Sequence, residues 1–133
     1  MLTPAMNRVI ACGIDIIEIA RVRAVFERFG ARFLDHVYTA WECERAAGRR
    51  DPGPFLAGRF AAKEAVLKVL GCGLFAGVPL HAIEIRAEDS GAPYCVLIGP
   101  ARDKAAALGI TRILVSISHS DSHAVAHAIG GEE

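Results

Sequence analysis

The sequence lacks an excess of charge of either sign. Its 15 Lys and Arg residues balance 15 Asp and Glu residues, so the formal net charge at pH 7 is zero. A protein whose whole surface attracts nucleic acid or anionic lipid usually carries a strong positive excess. Composition therefore gives no reason to expect nucleic acid or a membrane surface as a partner.

Long apolar runs and paired cysteines are also missing. No apolar run approaches the roughly 20 residues of a membrane-spanning helix, and no signal-peptide pattern opens the chain. The cysteines are widely scattered and none belongs to a C-x-x-C pair; they are Cys12, Cys43, Cys72 and Cys95. We therefore expect a reduced, cytoplasmic protein and not a secreted disulfide scaffold.

Several common catalytic signatures are absent as well. The chain contains no P-loop and no dinucleotide-binding fingerprint, because "GCGLFAG" matches both too loosely. No G-x-S-x-G elbow surrounds Ser116 or Ser118, which argues against a serine hydrolase of that type. Any phosphate chemistry must therefore use another arrangement of residues.

What is present is ample apolar content. The chain has 133 residues, 53% of them hydrophobic, which predicts one domain spanning residues 1–133. The high apolar content is consistent with subunit contacts, and equally with one well-filled core.

Residue periodicity predicts an α+β fold, with a mainly antiparallel sheet packed against helices that cluster in the first half. Thr39 and Glu42 form a capping-box pattern, which should begin a helix that runs towards Gly48. The other helices are predicted over 20–33, 55–71 and 100–109, and strands over 9–17, 82–88, 94–99, 112–118 and 123–129. A Gly-rich connection covers 72–79.

One carboxylate, Asp15, lies in the middle of the first apolar strand, "VIACGIDIIEIARV". Burying a carboxylate costs several kcal/mol unless it is paired or bound to a metal. Asp15 therefore needs a partner. Considering this stretch alone, the ordinary interpretation is that Asp15 lies at the end of the strand, where it is hydrated or paired with an arginine such as Arg21.

The central predicted helix carries a second unusual set of charges. Phe60, Glu64 and Lys68 are spaced four residues apart and share one face. Arg59 and Lys63 form a neighbouring basic stripe. Glu64 and Lys68 could form only a surface ion pair, but the basic residues lie on a helix that is otherwise apolar enough to be central.

If Asp15 and Glu64 meet, two carboxylates make an oxygen site that suits magnesium. Magnesium keeps several waters and completes its shell with substrate phosphates. The nearby cations would then bind phosphate; they are Arg59, Lys63 and Lys68. The pattern thus indicates phosphoryl chemistry.

Three histidines near the end of the chain are spaced four residues apart: His119, His123 and His127. On a helix this spacing could hold one metal ion, but the alternation in "HAVAHAI" predicts a strand, where the rings lie too far apart. His119 differs from the others because it ends a strand next to two serines, where an imidazole could meet an anion.

Three stretches together resemble the signature segments of the holo-acyl-carrier-protein synthases, the short, single-domain type of 4′-phosphopantetheinyl transferase. The stretches are "GIDIIEIARV", "FLAGRFAAKEAVLKVLG" and "VSISHS". Their order and spacing fit, and the likeness covers nearly the whole chain.

The resemblance implies an enzyme that moves the 4′-phosphopantetheine arm of coenzyme A onto a serine of apo acyl carrier protein. Adenosine 3′,5′-bisphosphate would be released, and the reaction would support fatty acid biosynthesis. The resemblance also implies magnesium as cofactor and a homotrimer, with each active site between neighbouring subunits.

The resemblance further implies catalytic and metal-binding roles. Asp15 and Glu64 match the metal ligands. Glu64 also matches the candidate base for the serine hydroxyl, acting directly or through a water. Lys68 matches a lysine that protonates or neutralises the leaving phosphate.

Substrate-binding roles are implied for four other residues. Arg59, Lys63 and His119 match positions that line the coenzyme A phosphates, and Arg21 matches an arginine that docks the acidic carrier protein. Asp121 departs from the family pattern, since many members have a basic residue there and an acid would repel the 3′-phosphate. His123 also departs, at a position that is often aromatic.

Two other interpretations stay open. One is a non-catalytic trimer that binds coenzyme A or a carrier protein, which would not need Asp15, Glu64 and Lys68 together. The other is a histidine-based metal-binding module.

Overall fold

A computed structural model describes residues 6–73 and 77–133. In that part of the chain, strands and helices follow in the order β1 (Arg8–Glu18), α1 (Ile19–Phe29), α2 (Ala31–Val37), α3 (Ala40–Ala47), α4 (Gly53–Val69), a 3₁₀ turn (Leu80–Ala82), β2 (Ile83–Ala87), β3 (Pro93–Leu97), α5 (Pro100–Ala107), β4 (Arg112–His119) and β5 (His123–Glu132). Part of the predicted Gly-rich connection, residues 74–76, lies outside the described residues. None of the described helices is long and apolar enough to cross a membrane.

The strands pair antiparallel, as predicted, but they form two sheets. The first has the order β1-β5-β4, and the second consists of β2 and β3. In the first sheet, Asp15 on β1 lies opposite Ala126 on β5, and His119 on β4 lies opposite Ala124. The α+β class is therefore confirmed, with two small sheets in place of one.

Helix α4 packs between the two sheets. It contacts β1, β5 and β4 of the first sheet, β2 of the second, and helix α1. Its buried side chains are mostly small; Ala61, Ala62 and Ala65 are fully buried. Small side chains let the helix axis approach the strands closely, so α4 forms the centre of the core.

The first predicted helix is divided into two. Gly30 has a φ of 53°, and its N–H bonds the carbonyl oxygen of Phe26, so α1 ends there and α2 begins at Ala31. The predicted capping box is confirmed, since Thr39 N–H donates to Glu42 at 2.9 Å and Glu42 N–H donates to the Thr39 hydroxyl at 3.4 Å.

Helix α4 approaches β1 so closely at Gly13 that no side chain fits between them. A Cβ atom at Gly13 would overlap the carbonyl oxygen of Ala65 and would lie 2.8 Å from Cβ of Lys68. The glycine is therefore required by space, and its contact holds the Lys68 turn of α4 against the strand that carries Asp15.

Gly13→Ala should destabilise the protein by about 1–3 kcal/mol, because α4 must shift away from β1 to make room for the methyl group. The midpoint of urea-induced unfolding measures this loss. Gly48→Ala is the control, since Gly48 has a φ of −77° and its Cβ would meet only the Arg45 carbonyl oxygen, at 3.8 Å. Equal midpoints for the two variants would show that the gap at Gly13 is not constrained.

Candidate active site

Asp15 and Glu64 line one cavity of about 370 Å³, at the junction of β1, α1, α2 and α4. Arg21 is the third charged residue in its lining, and Phe60 lies one helical turn before Glu64. The remaining lining is apolar; it comprises Ile16, Ile17, Val22, Val25 and Phe33. The structure thus brings together the two carboxylates that the sequence suggested could meet.

The environment of the two carboxylates disfavours their charged forms. Burial raises the pKa of Glu64, and the negative charge of Asp15 raises it further. Burial also raises the pKa of Asp15, although Lys68 opposes this. Within the described residues, Oε1 of Glu64 is buried with no hydrogen-bond partner. An unsatisfied buried acceptor is unfavourable, and a bound cation would satisfy it.

Lys68 lies at the edge of this carboxylate pair. Its ammonium group donates to the Ile14 carbonyl oxygen at 2.7 Å and lies 3.5 Å from Oδ1 of Asp15. Lys68 therefore pairs with Asp15, and not with Glu64 as a simple surface pair along the helix would require. Its side chain is 51% exposed, so it can still reach a bound ligand.

Arg59 points away from this cavity. Its Nε–H donates to the Ile85 carbonyl oxygen at 3.3 Å, and its guanidinium carbon lies 4.3 Å from the centre of the Phe55 ring. Burial lowers the pKa of Arg59. The structure thus places Arg59 beside β2, at a different face of α4 from Glu64.

Lys63 reaches neither this cavity nor the protein surface near Arg59. Its side chain is 0% exposed and its Nζ lies 2.6 Å from Oε1 of Glu42, which is equally buried. Consecutive helical residues differ in direction by about 100°, so Lys63 faces the core when Glu64 faces the cavity. The expected contact of Lys63 with coenzyme A phosphates therefore has no support in this arrangement.

The three histidines do not form a cluster. His119 is exposed at the end of β4, while His123 and His127 are exposed on β5. Strand β5 separates His119 from β1, so one chain does not bring His119 to Asp15. Across the described ranges, no three potential metal ligands of the His, Cys, Asp or Glu type come together, which gives a histidine-based metal module no support.

Sequence reasoning missed two residues that shape the site. Gly13 belongs to the apolar stretch that contains Asp15, but the lack of space for a side chain there depends on the packing of α4 against β1. The capping-box pattern predicts the role of Glu42 at the start of α3, but it does not predict that Glu42 is buried and paired with Lys63. The one available signal was a lysine in the apolar run "FAAKEAV".

Comparison with known proteins places these features in one family. The model of the 4′-phosphopantetheinyl transferase superfamily matches residues 11–128. A holo-[acyl-carrier-protein] synthase of Natranaerobius thermophilus is 42% identical over 121 residues, covering 91% of this chain and 96% of that protein.

Solved structures agree with the sequence matches. Holo-[acyl-carrier-protein] synthase from Neisseria meningitidis superposes with a TM-score of 0.84 at 29% identity, covering 94% of this chain and 100% of that one. The Helicobacter pylori enzyme in complex with coenzyme A gives a TM-score of 0.80 at 29% identity, covering 91% and 100%.

Asp15→Asn should lower the pKa of Glu64, because it removes the neighbouring negative charge. The pKa should remain above that of an ordinary glutamate, since burial is the larger cause and persists. NMR titration of the side-chain carboxyl carbons in metal-free protein measures this shift, with Asp89→Asn, in an exposed turn, as control. An unchanged Glu64 pKa in Asp15→Asn would show that the two carboxylates do not interact.

Proposed function

Because the chain belongs to the 4′-phosphopantetheinyl transferase superfamily, we infer that it is a holo-[acyl-carrier-protein] synthase. It transfers the 4′-phosphopantetheine group of coenzyme A to a serine of apo acyl carrier protein and releases adenosine 3′,5′-bisphosphate. The observation that carries this function is the pair Asp15 and Glu64 in one cavity, with the Lys68 ammonium group 3.5 Å from Oδ1 of Asp15. A protein that only binds coenzyme A would not need this charged set, so the non-catalytic alternative is not favoured.

We propose magnesium as the cofactor, held by Asp15 and Glu64. The residues fit this ion, because both ligands are carboxylates and the buried Oε1 of Glu64 lacks any other partner among the described residues. When bound, magnesium would supply positive charge to the diphosphate oxygens and to the leaving phosphate. Two protein ligands leave coordination positions for water and substrate.

The chain's own residues would move the proton and stabilise the leaving group. The serine oxygen forms a bond to the phosphorus that carries the pantetheine arm, while the bond from that phosphorus to the bridging oxygen breaks. Glu64 would accept the serine proton, directly or through a water. Lys68 would neutralise the negative charge on the leaving phosphate.

Substrate contacts are proposed for three further residues. Arg21 is exposed at the mouth of the cavity, where its charge would attract the acidic carrier protein. Arg59 would bind a phosphate of coenzyme A through its terminal guanidinium nitrogens, since its bond to the Ile85 carbonyl oxygen uses only the Nε–H. His119 would bind another phosphate of coenzyme A. Because His119 lies two strands from Asp15, its role requires that it reach the site of a neighbouring subunit.

A homotrimer is supported by an exposed apolar face. On the β1-β5-β4 sheet, the face turned away from α4 carries Ile14 and Ile16 of β1, which are 61% and 65% exposed, and Leu114 of β4, which is 37% exposed. Several exposed large apolar residues on one sheet face are unusual for a monomer and typical of a subunit interface. We propose that this face packs against other copies of the chain.

The direct test mixes the protein with apo carrier protein, coenzyme A and magnesium, and follows the carrier by mass spectrometry. The carrier should gain the mass of one phosphopantetheine. Asp15→Asn and Glu64→Gln should each reduce this transfer by roughly a hundredfold or more. Each substitution removes one of the two carboxylate ligands that the protein would supply to the magnesium ion.

Asp89→Asn removes an exposed carboxylate elsewhere and is the matched control. Absence of any mass gain with the wild type would refute the function. Near-normal transfer by either cavity variant would refute the two-carboxylate site alone.

Lys68→Ala should lower kcat by roughly a hundredfold and change the KM for coenzyme A much less, since stabilisation of leaving-group charge develops mainly in the transition state. Lys104→Ala, which removes an exposed lysine on α5, should leave both constants unchanged. Steady-state kinetics decides the matter. An unaltered kcat in Lys68→Ala would exclude Lys68 from the mechanism, while the family assignment would stand.

Leu114→Glu should break the trimer into smaller species, because it places a charge in the proposed apolar interface. Leu108→Glu introduces the same charge on a leucine that is 40% exposed at the end of α5, and should leave the trimer intact. Light scattering at micromolar concentration measures the mass of each species. A monomeric wild type would contradict an active site shared between subunits.

A further inference from the structure

The outer edge of strand β2 is satisfied by charged side chains and not by another strand. Strand β3 pairs with one edge of β2. On the other edge, the Ile83 carbonyl oxygen accepts from Lys63, the Ile85 N–H donates to Oε2 of Glu42 at 2.8 Å, and the Ile85 carbonyl oxygen accepts from Arg59 at 3.3 Å. Helices α3 and α4 thus supply the partners that a third strand would otherwise provide.

Lys63 has no bonding capacity left for a ligand. Its three N–H groups are matched by Oε1 of Glu42 at 2.6 Å, the Leu80 carbonyl oxygen at 3.2 Å and the Ile83 carbonyl oxygen. A lysine has three donors and no acceptor, so this set is complete. Glu42 is similarly occupied, because it also accepts the Thr39 and Ile85 N–H groups.

We propose that Lys63 and Glu42 are a positioning pair, which fixes the rotation of α4 about its axis and so aims Glu64 at Asp15, and that Lys63 does not bind coenzyme A. Lys63 and Glu64 are consecutive, so a rotation of α4 that frees one must redirect the other. This inference rests on the proposed transferase function, which the wild type tests independently in the same assay.

The Gly13 contact holds α4 on its β1 side, and the buried ion pair holds it on its β2 side. Glu64 lies between these two attachments. Loss of the ion pair leaves the Arg59 bond to the Ile85 carbonyl oxygen as the polar contact of α4 with β2. A small rotation of the helix then moves Glu64, because its Oε1 has no hydrogen-bond partner within the described residues to anchor it.

A buried ion pair has a distinctive response to mutation. Removing one partner leaves an uncompensated buried charge, which is strongly unfavourable, whereas removing both charges is much less damaging. Burial lowers the pKa of Lys63, and Glu42 opposes this, as expected for two groups that depend on each other for their charged forms.

The test compares Lys63→Met with the double variant Glu42→Gln/Lys63→Met. Glutamine at position 42 removes the buried negative charge and keeps an oxygen that accepts the Ile85 N–H, although it gives up the bond that Oε1 accepts from the Thr39 N–H. The measurements are Tm, kcat, the KM for coenzyme A and the magnesium concentration for half-maximal rate. All rates are measured at a temperature below the onset of thermal unfolding of each variant.

Lys63→Met alone should lower Tm, lower kcat and raise the magnesium requirement. The double variant should recover most of each loss, and its KM for coenzyme A should stay within about twofold of the wild type. Recovery through Glu42 is the signature of a positioning pair, because a residue that contacts the substrate cannot be replaced by a change on α3.

Three results would overturn the proposal. The first is a KM for coenzyme A that rises by roughly tenfold or more in both variants with no rescue, because this is the effect of losing a charge-assisted hydrogen bond to phosphate. A double variant as unstable as Lys63→Met would show that the pair is not coupled. A folded Lys63→Met with unchanged kcat and magnesium requirement would show that the pair contributes to stability alone. Failure of the wild type to modify the carrier would instead refute the proposed function.

Discussion

The buried ion pair between Lys63 and Glu42 is the interaction on which the arrangement of the site depends. It places two charges where neither is exposed, and this is tolerable only because the pair and the surrounding backbone groups satisfy nearly all of their hydrogen-bonding capacity. The same bonds complete the outer edge of β2. Helix α4 is thereby attached to the second sheet, while the space left by Gly13 lets it lie directly on the first.

The site itself is the opposite case, a pair of charges that the fold leaves incomplete. Asp15 and Glu64 share one cavity, burial raises the pKa of both, and one oxygen of Glu64 has no partner among the described residues. Such an arrangement costs free energy in the isolated chain, and a bound cation would recover it. One face of α4 thus carries a saturated ion pair and another face carries an unsatisfied carboxylate. This contrast distinguishes Lys63, which we propose supports the site, from Glu64, which we propose acts in it.

Local patterns in the sequence predicted much of the fold. The capping box at Thr39 and Glu42, the α4 helix and the antiparallel strands each depend on neighbouring residues, whose spacing is visible in one dimension. The division of the strands into two sheets was not predictable, because it depends on which face of α4 each hairpin covers. For the same reason, spacing placed Lys63 in a basic stripe, although its direction is decided by Glu42, which belongs to a different helix. The proximity of Asp15 to Glu64 was conditional in the sequence and became definite only with the packing of α4 on β1.

The account stands on the claim that Asp15 and Glu64 together form one cation site. Manganese is a paramagnetic substitute for magnesium, and its binding to the protein without substrates can be followed by electron paramagnetic resonance. One ion should bind per chain, and Asp15→Asn and Glu64→Gln should each weaken that binding by about tenfold or more, because each removes one of two charged ligands. Binding of equal affinity in the wild type and both variants would show that the carboxylates do not hold the metal, and would contradict the central claim.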